Sequence, residues 1–96
     1  MDEIRFDWDA RKAKSNERKH GVSFEEAESV FFDEQALLIE DPQPPHVEER
    51  FVILGLSASL RLLVVVHAFR EGDVIRIISA RKATSAESLE YQARLR

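Results

Sequence analysis

The chain has 96 residues, 44% apolar and 33% charged, with a net charge of −4 and no cysteine. That composition fits one folded domain suited to the cytoplasm, and it excludes disulfide frameworks, thiolate metal sites and any apolar run long enough to span a membrane. Residues 1–20 carry six Lys/Arg against five Asp/Glu, residues 21–49 none against nine, and residues 50–96 eight against four, so a basic surface can coexist with overall acidity.

Met1 to Arg5 lacks the basic-then-apolar pattern of a secretion signal. Glu3 to Asp7 alternates polar and apolar residues, as a short half-buried strand does. Asp9 can cap a helix over residues 10–19, whose last turn is rich in Lys and Arg and which Gly21 stops. Ser23-Phe24-Glu25-Glu26 reads as a capping box, with Val22 and Ala27 placed for a hydrophobic staple. The helix it opens presents Phe24, Ala27, Val30 and Phe31 on one face. Ala36 to Ile39 can form a short strand, and the prolines of Asp41 to His46 impose a loop. Three strand-like runs follow: Arg50 to Leu56, Leu62 to Arg70 and Val74 to Arg81. Glu71-Gly72-Asp73 turns the last two into a hairpin. Thr84 and Glu87 form a second capping box, opening a helix that ends near residue 95 and carries Ala86, Leu89 and Ala93 on one face, with Tyr91 and Leu95 beside them. The predicted fold class is α+β: a small antiparallel sheet of four to five strands with two N-terminal helices and one C-terminal helix packed on it.

The stretch from Val74 to Thr84 is a β-branched strand ending in adjacent cations and running into a helix cap. Cations on a sheet are held by its hydrogen-bonded backbone, which suits them to an anionic ligand. If Arg70 pairs with Val74 and the register continues unbroken, Arg70, Arg76 and Leu62 share one face while His67, Ile77 and Arg81 share the other. A one-residue shift exchanges one strand's set. Arg50 adds a cation from the preceding strand. Lys19-His20-Gly21 closes the first helix, where Lys and His are favoured for structural reasons alone. His20, His46 and His67 lack metal-ligand spacing, glycine-rich phosphate loops are absent, and no serine sits in a nucleophile elbow, so neither a metal nor a cofactor is expected.

The ordered set of motifs resembles the BrnT family of type II toxin–antitoxin ribonuclease toxins. It comprises Phe6-Asp7-Trp8-Asp9 with Lys12, Asn16 and Lys19 to Phe24; Ala27 and Phe31; Glu49-Arg50-Phe51 with Gly55; and Arg76 to Thr84 with Glu87. The resemblance implies a RelE-like fold and a metal-independent ribonuclease that inhibits translation. It also implies neutralisation by a BrnA-like ribbon-helix-helix antitoxin, two toxins to an antitoxin dimer, with DNA reached only through the antitoxin. On that reading Arg70, Arg81 and Arg50 stabilise the phosphate and its transition state, since a planar guanidinium binds two phosphate oxygens and stays charged. Lys82, Arg76 and Lys19 hold the RNA backbone. His20 and His67 also contact substrate and, with Glu49, are the choices for a general base. An alternative is a catalytically inactive toxin-like module that acts with its antitoxin as a DNA-bound repressor. A stand-alone RNA-binding domain is the weaker third, because Phe51, Phe69 and Trp8 serve as readily in a core.

Overall fold

The computed structural model describes residues 4–40 and 49–95. In chain order the elements are β1 (Arg5–Asp7), α1 (Ala10–His20), α2 (Phe24–Ser29), a 3₁₀ turn (Val30–Phe32), β2 (Leu37–Ile39), β3 (Phe51–Leu56), β4 (Leu62–Arg70), β5 (Val74–Lys82) and α3 (Ser85–Arg94). The loop expected over Asp41 to His46 lies outside the described residues.

The helix boundaries follow from their caps. The Asp9 carboxylate accepts from the Lys12 and Arg11 N–H groups at 3.1 and 2.8 Å, and those bonds hold its pKa below the usual carboxylate range. Gly21 ends α1 at φ +70°, and its N–H donates to the Glu17 carbonyl at 2.8 Å. Ser23 Oγ accepts from the Glu26 N–H at 3.0 Å. The reciprocal arm of that box is spent elsewhere: the Glu26 carboxylate takes the guanidinium of Arg61 and the hydroxyl of Ser57. Thr84 and Glu87 form the complete capping box that the sequence predicts.

The sheet has five strands in the order β1-β5-β4-β3-β2. Every neighbour is antiparallel except β1, which runs parallel to β5 with Phe6 beside Ile75 and Asp7 beside Arg76. The α+β class holds, and the all-antiparallel sheet is corrected to a mixed one. Alternation in Glu3 to Asp7 reports which residues face a core and carries no information on strand direction.

Two cores lie on opposite faces of this sheet. Val22, Phe24, Ala27 and Val30, from α2 and its flanks, pack on Leu63, Val65, Ile77 and Ala80. On the other face Tyr91 of α3 packs with Val52, Leu54 and Val64. The apolar face predicted for α3 is corrected too, since Leu89 is 66% exposed and Tyr91 only 6%. Rotation of α3 is set by Glu87 and by Tyr91 four residues on, which share a helix face. Arg81 holds the first, and the Tyr91 hydroxyl donates to Asp33 Oδ2 at 2.6 Å.

Candidate functional site

A single bulge decides which arginines meet. From the hairpin turn, Arg70 pairs with Val74, Ala68 with Arg76 and His67 with Ile77; then Val66 pairs with Ser79, Val64 with Arg81 and Leu63 with Lys82. Ile78 is the extra residue, and beyond it β5 presents the opposite parity to β4. The register that the sequence leaves open is thus unbroken up to His67 and shifted by one residue beyond it. Arg81 joins Arg70 and Arg76 on the α3 face, and Lys82 turns to the face of α1 and α2, where its charge acts on Glu26. Arg50 stands one residue ahead of Phe51, which pairs with His67, so alternation puts it on the α3 face as well. It is half-buried, and its Nε is buried without a hydrogen-bond partner among the described residues.

The arginines on this face have different surroundings. Arg70 is exposed at the end of β4. Arg76 lies 3.3 Å from the Asp7 carboxylate, its side chain 31% exposed, and its charge reaches Asp9 at the start of α1. Arg81 gives both terminal nitrogens to Glu87, at 2.8 and 2.9 Å. That bidentate pair holds the Glu87 pKa down to about 2, helped by the Thr84 N–H, which donates to Oε1 at 2.8 Å. The β4 partners of Arg76 and Arg81 are Ala68 and Val64, a separation of roughly 13 Å along the strand. Arg81 is thus committed to the N-terminus of α3, while Arg76 and Arg70 lie toward the hairpin end.

A second basic feature lies where α1 meets β5. Lys12, Asn16 and Lys19, spaced i, i+4 and i+7, line a cleft of about 210 Å³ with Ser15, His20, Ile78 and Ser79. Asn16, 7% exposed, fixes the helix to the strand. Its Nδ2 donates to the Ala80 and Val22 carbonyls at 2.8 and 3.0 Å, and its Oδ1 accepts from the Ala80 N–H at 3.1 Å. Ser79 belongs both to this cleft and to the arginine face, so the two adjoin at the bulge. The structure places Lys19 and His20 in this cleft beside β5, rather than on the face that carries Arg70, Arg76 and Arg81.

His67 is not part of this surface. It is 1% exposed and ringed by Phe31, Phe51 and Phe69 at centroid distances of 4.8, 6.1 and 5.5 Å. Its Nδ1 faces the Val65 carbonyl at 3.2 Å, and burial holds its pKa below the ordinary histidine value. The assignment of His67 to substrate contact is corrected on this ground: a side chain sealed among phenylalanines offers nothing to a polar ligand. Sequence reasoning missed Ser15 and Ser79 as cleft residues and Glu87 as the partner of Arg81. The i, i+4, i+7 spacing of Lys12, Asn16 and Lys19 was the available signal for the cleft. Among the described residues no group of three or more His, Cys, Asp or Glu side chains is arranged to hold a metal, and no helix is long and apolar enough to cross a membrane.

Comparison with known proteins agrees with this architecture. The crystal structure of the Brucella abortus ribonuclease toxin BrnT superposes with a TM-score of 0.65 at 22% identity, covering 86% of this chain and all of that one. No curated protein matches the chain. The model of the ribonuclease toxins, BrnT, of type II toxin–antitoxin systems matches residues 8–87. That span includes α1, the bulged hairpin and Glu87, and the chain belongs to the BrnT family of ribonuclease toxins.

Proposed function

We propose that this protein is a metal-independent endoribonuclease acting in the cytoplasm, which arrests translation by cutting RNA on the arginine face of its sheet. The observation that carries the reading is the bulge at Ile78, which brings Arg81 onto the face that Arg70 and Arg76 already share, beside Arg50. In RNA cleavage without a metal, the 2′-hydroxyl attacks the adjacent phosphorus and the 5′-oxygen leaves. Negative charge grows on the phosphoryl oxygens as this happens. Guanidinium groups fixed on a sheet stabilise that charge without reorganising, and one such donor is typically worth ~10²–10³ in rate. Arg70 and Arg50 act at the phosphate with Arg76 beside them. Arg81 reaches it only by sharing or releasing Glu87. Lys82 faces away and contributes long-range attraction at most. Of the groups considered for the base, His67 is sealed in the core, and His20 and Glu49 remain accessible.

The antitoxin is proposed to be BrnA-like, with a ribbon-helix-helix part that binds DNA, in an assembly of two toxins and two antitoxins. Co-purification with the product of the adjacent reading frame, followed by mass measurement, tests this part. A second reading is favoured by one contact: Glu87 neutralises Arg81, as an inactive module serving only as an antitoxin-bound repressor would permit. Purified protein that leaves RNA intact yet tightens antitoxin on its operator supports that second reading. Arrest of a purified translation system, relieved by antitoxin, supports the first.

A further inference from the structure

We infer that the cleft between α1 and β5 is a phosphate subsite, which seats an RNA phosphate next to the one held on the arginine face. The inference rests on the ribonuclease reading above and adds a substrate contact and its ligands to it.

The cleft has the chemistry of an anion site. Lys12 and Lys19 stand two helical turns apart on one side of α1, about 10 Å along the axis, and both line the cleft. His20 and Ser15 supply neutral hydrogen-bonding groups around the same space, and Ser79 lines its β5 side. Neither lysine forms a salt bridge with a described residue. At about 210 Å³ the cleft is many times the ~10–15 Å³ that one water needs, so a phosphate fits with part of its hydration.

The geometry also explains why the lysines are held in place. Asn16 lies between them and locks α1 to the backbone of Ala80 through bonds in both directions. The bulge residue Ile78 and its neighbour Ser79 form the opposite wall. One irregularity therefore both brings Arg81 to the arginine face and shapes the wall of the cleft. Ser79 lines the cleft and lies between Arg76 and Arg81 along β5, and so links the cleft to the arginine face. Lysine is suited to this role as a point charge that engages phosphate without directional demand. An acidic peptide is the other anion the cleft could take, and the test separates the two.

The experiment measures binding of a fully 2′-O-methylated single-stranded RNA, which cannot be cut, by fluorescence anisotropy across a salt series. Lys12→Gln/Lys19→Gln is compared with Lys14→Gln/Arg18→Gln, which removes the same charge from the exposed opposite side of α1. The cleft pair is expected to weaken binding about tenfold and to flatten the salt slope by about 0.7, the value for one phosphate contact on a single strand, while the control pair changes little. The His20 ring resonances should shift when RNA is added to the wild-type protein and stay fixed in the cleft variant. Equal losses from the two pairs, or no loss from the cleft pair, overturn the subsite while leaving the ribonuclease reading intact. Wild-type protein that binds no RNA overturns both. A cleft that instead takes an acidic antitoxin peptide, with RNA binding unchanged by the lysine substitutions, overturns the subsite alone.

Discussion

At the level of single residues, Asn16 and His67 show how buried polar groups organise this protein. Asn16 joins three backbone groups that would otherwise be stranded between helix and strand. Asn16→Leu leaves all three unpaired, and the expected loss is about 3 kcal/mol or more in urea unfolding. In a sequence an asparagine within a helix reads as a weak helix former, and nothing in its spacing reveals a contact 64 residues away. His67 has the opposite history. Its strand position was legible, and its enclosure was not, because that depends on phenylalanines arriving from three separate elements. Its folded pKa lies below 6.5, so folded protein binds the proton less readily than unfolded protein does. Its contribution is fully present above pH 6.5 and declines as pH falls below it, by at most ~1.4 kcal/mol per pH unit. Denaturation between pH 7 and 5 should show this decline, and His67→Leu should flatten it. An unchanged slope would mean that His67 is not shielded from protons.

Elements carry the next layer, and α3 is the instructive one. Its cap and length were readable from Thr84, Glu87 and the sequence to residue 95, but its docked face was not. Apolar periodicity favours Leu89, whereas two specific polar anchors turn Tyr91 inward. Burial pushes the Tyr91 hydroxyl pKa up to about 12, with the Asp33 carboxylate adding to it. Asp33 itself is pushed upward by burial, yet bonds from the Leu56 N–H, the Tyr91 hydroxyl and the Gln35 N–H outweigh this and hold it ionised. Tyr91→Phe should cost about 1.5–3 kcal/mol, the range for a hydrogen bond to a charged group. Glu87→Gln should cost a similar amount at neutral pH. Because the Glu87 pKa falls from 4.5 to about 2, its contribution is present above pH 4.5 and disappears as pH drops toward 2. Stability measured on that acid limb should therefore converge between wild type and variant. Gly55 tests the packing of β3 directly. A Cβ there would lie 2.9 Å from both Ala36 Cβ and Val30 Cγ1, so Gly55→Ala should destabilise by about 1–3 kcal/mol.

For the whole molecule, the question is how a chain of net charge −4 offers a surface to RNA. The acid-rich segment from residue 21 to 49 supplies α2, whose Glu26 is matched by Arg61 and Lys82, while the lysines of α1 and the arginines of β5 face the cleft and the arginine face. The element order and the cationic strand were legible because caps, turns and β-branched runs are local signals. The bulge was not, since a single extra residue in β5 leaves the hydrophobic pattern nearly unchanged while reversing the facing of Arg81 and Lys82. That one residue determines the composition of the arginine face, so the most direct test addresses that face. RNA cleavage by purified wild-type protein is compared with Arg70→Ala/Arg76→Ala, whose fold is verified by circular dichroism. The account predicts a loss of at least about 100-fold in cleavage rate with folding preserved. A folded double variant that cuts RNA at the wild-type rate would contradict it.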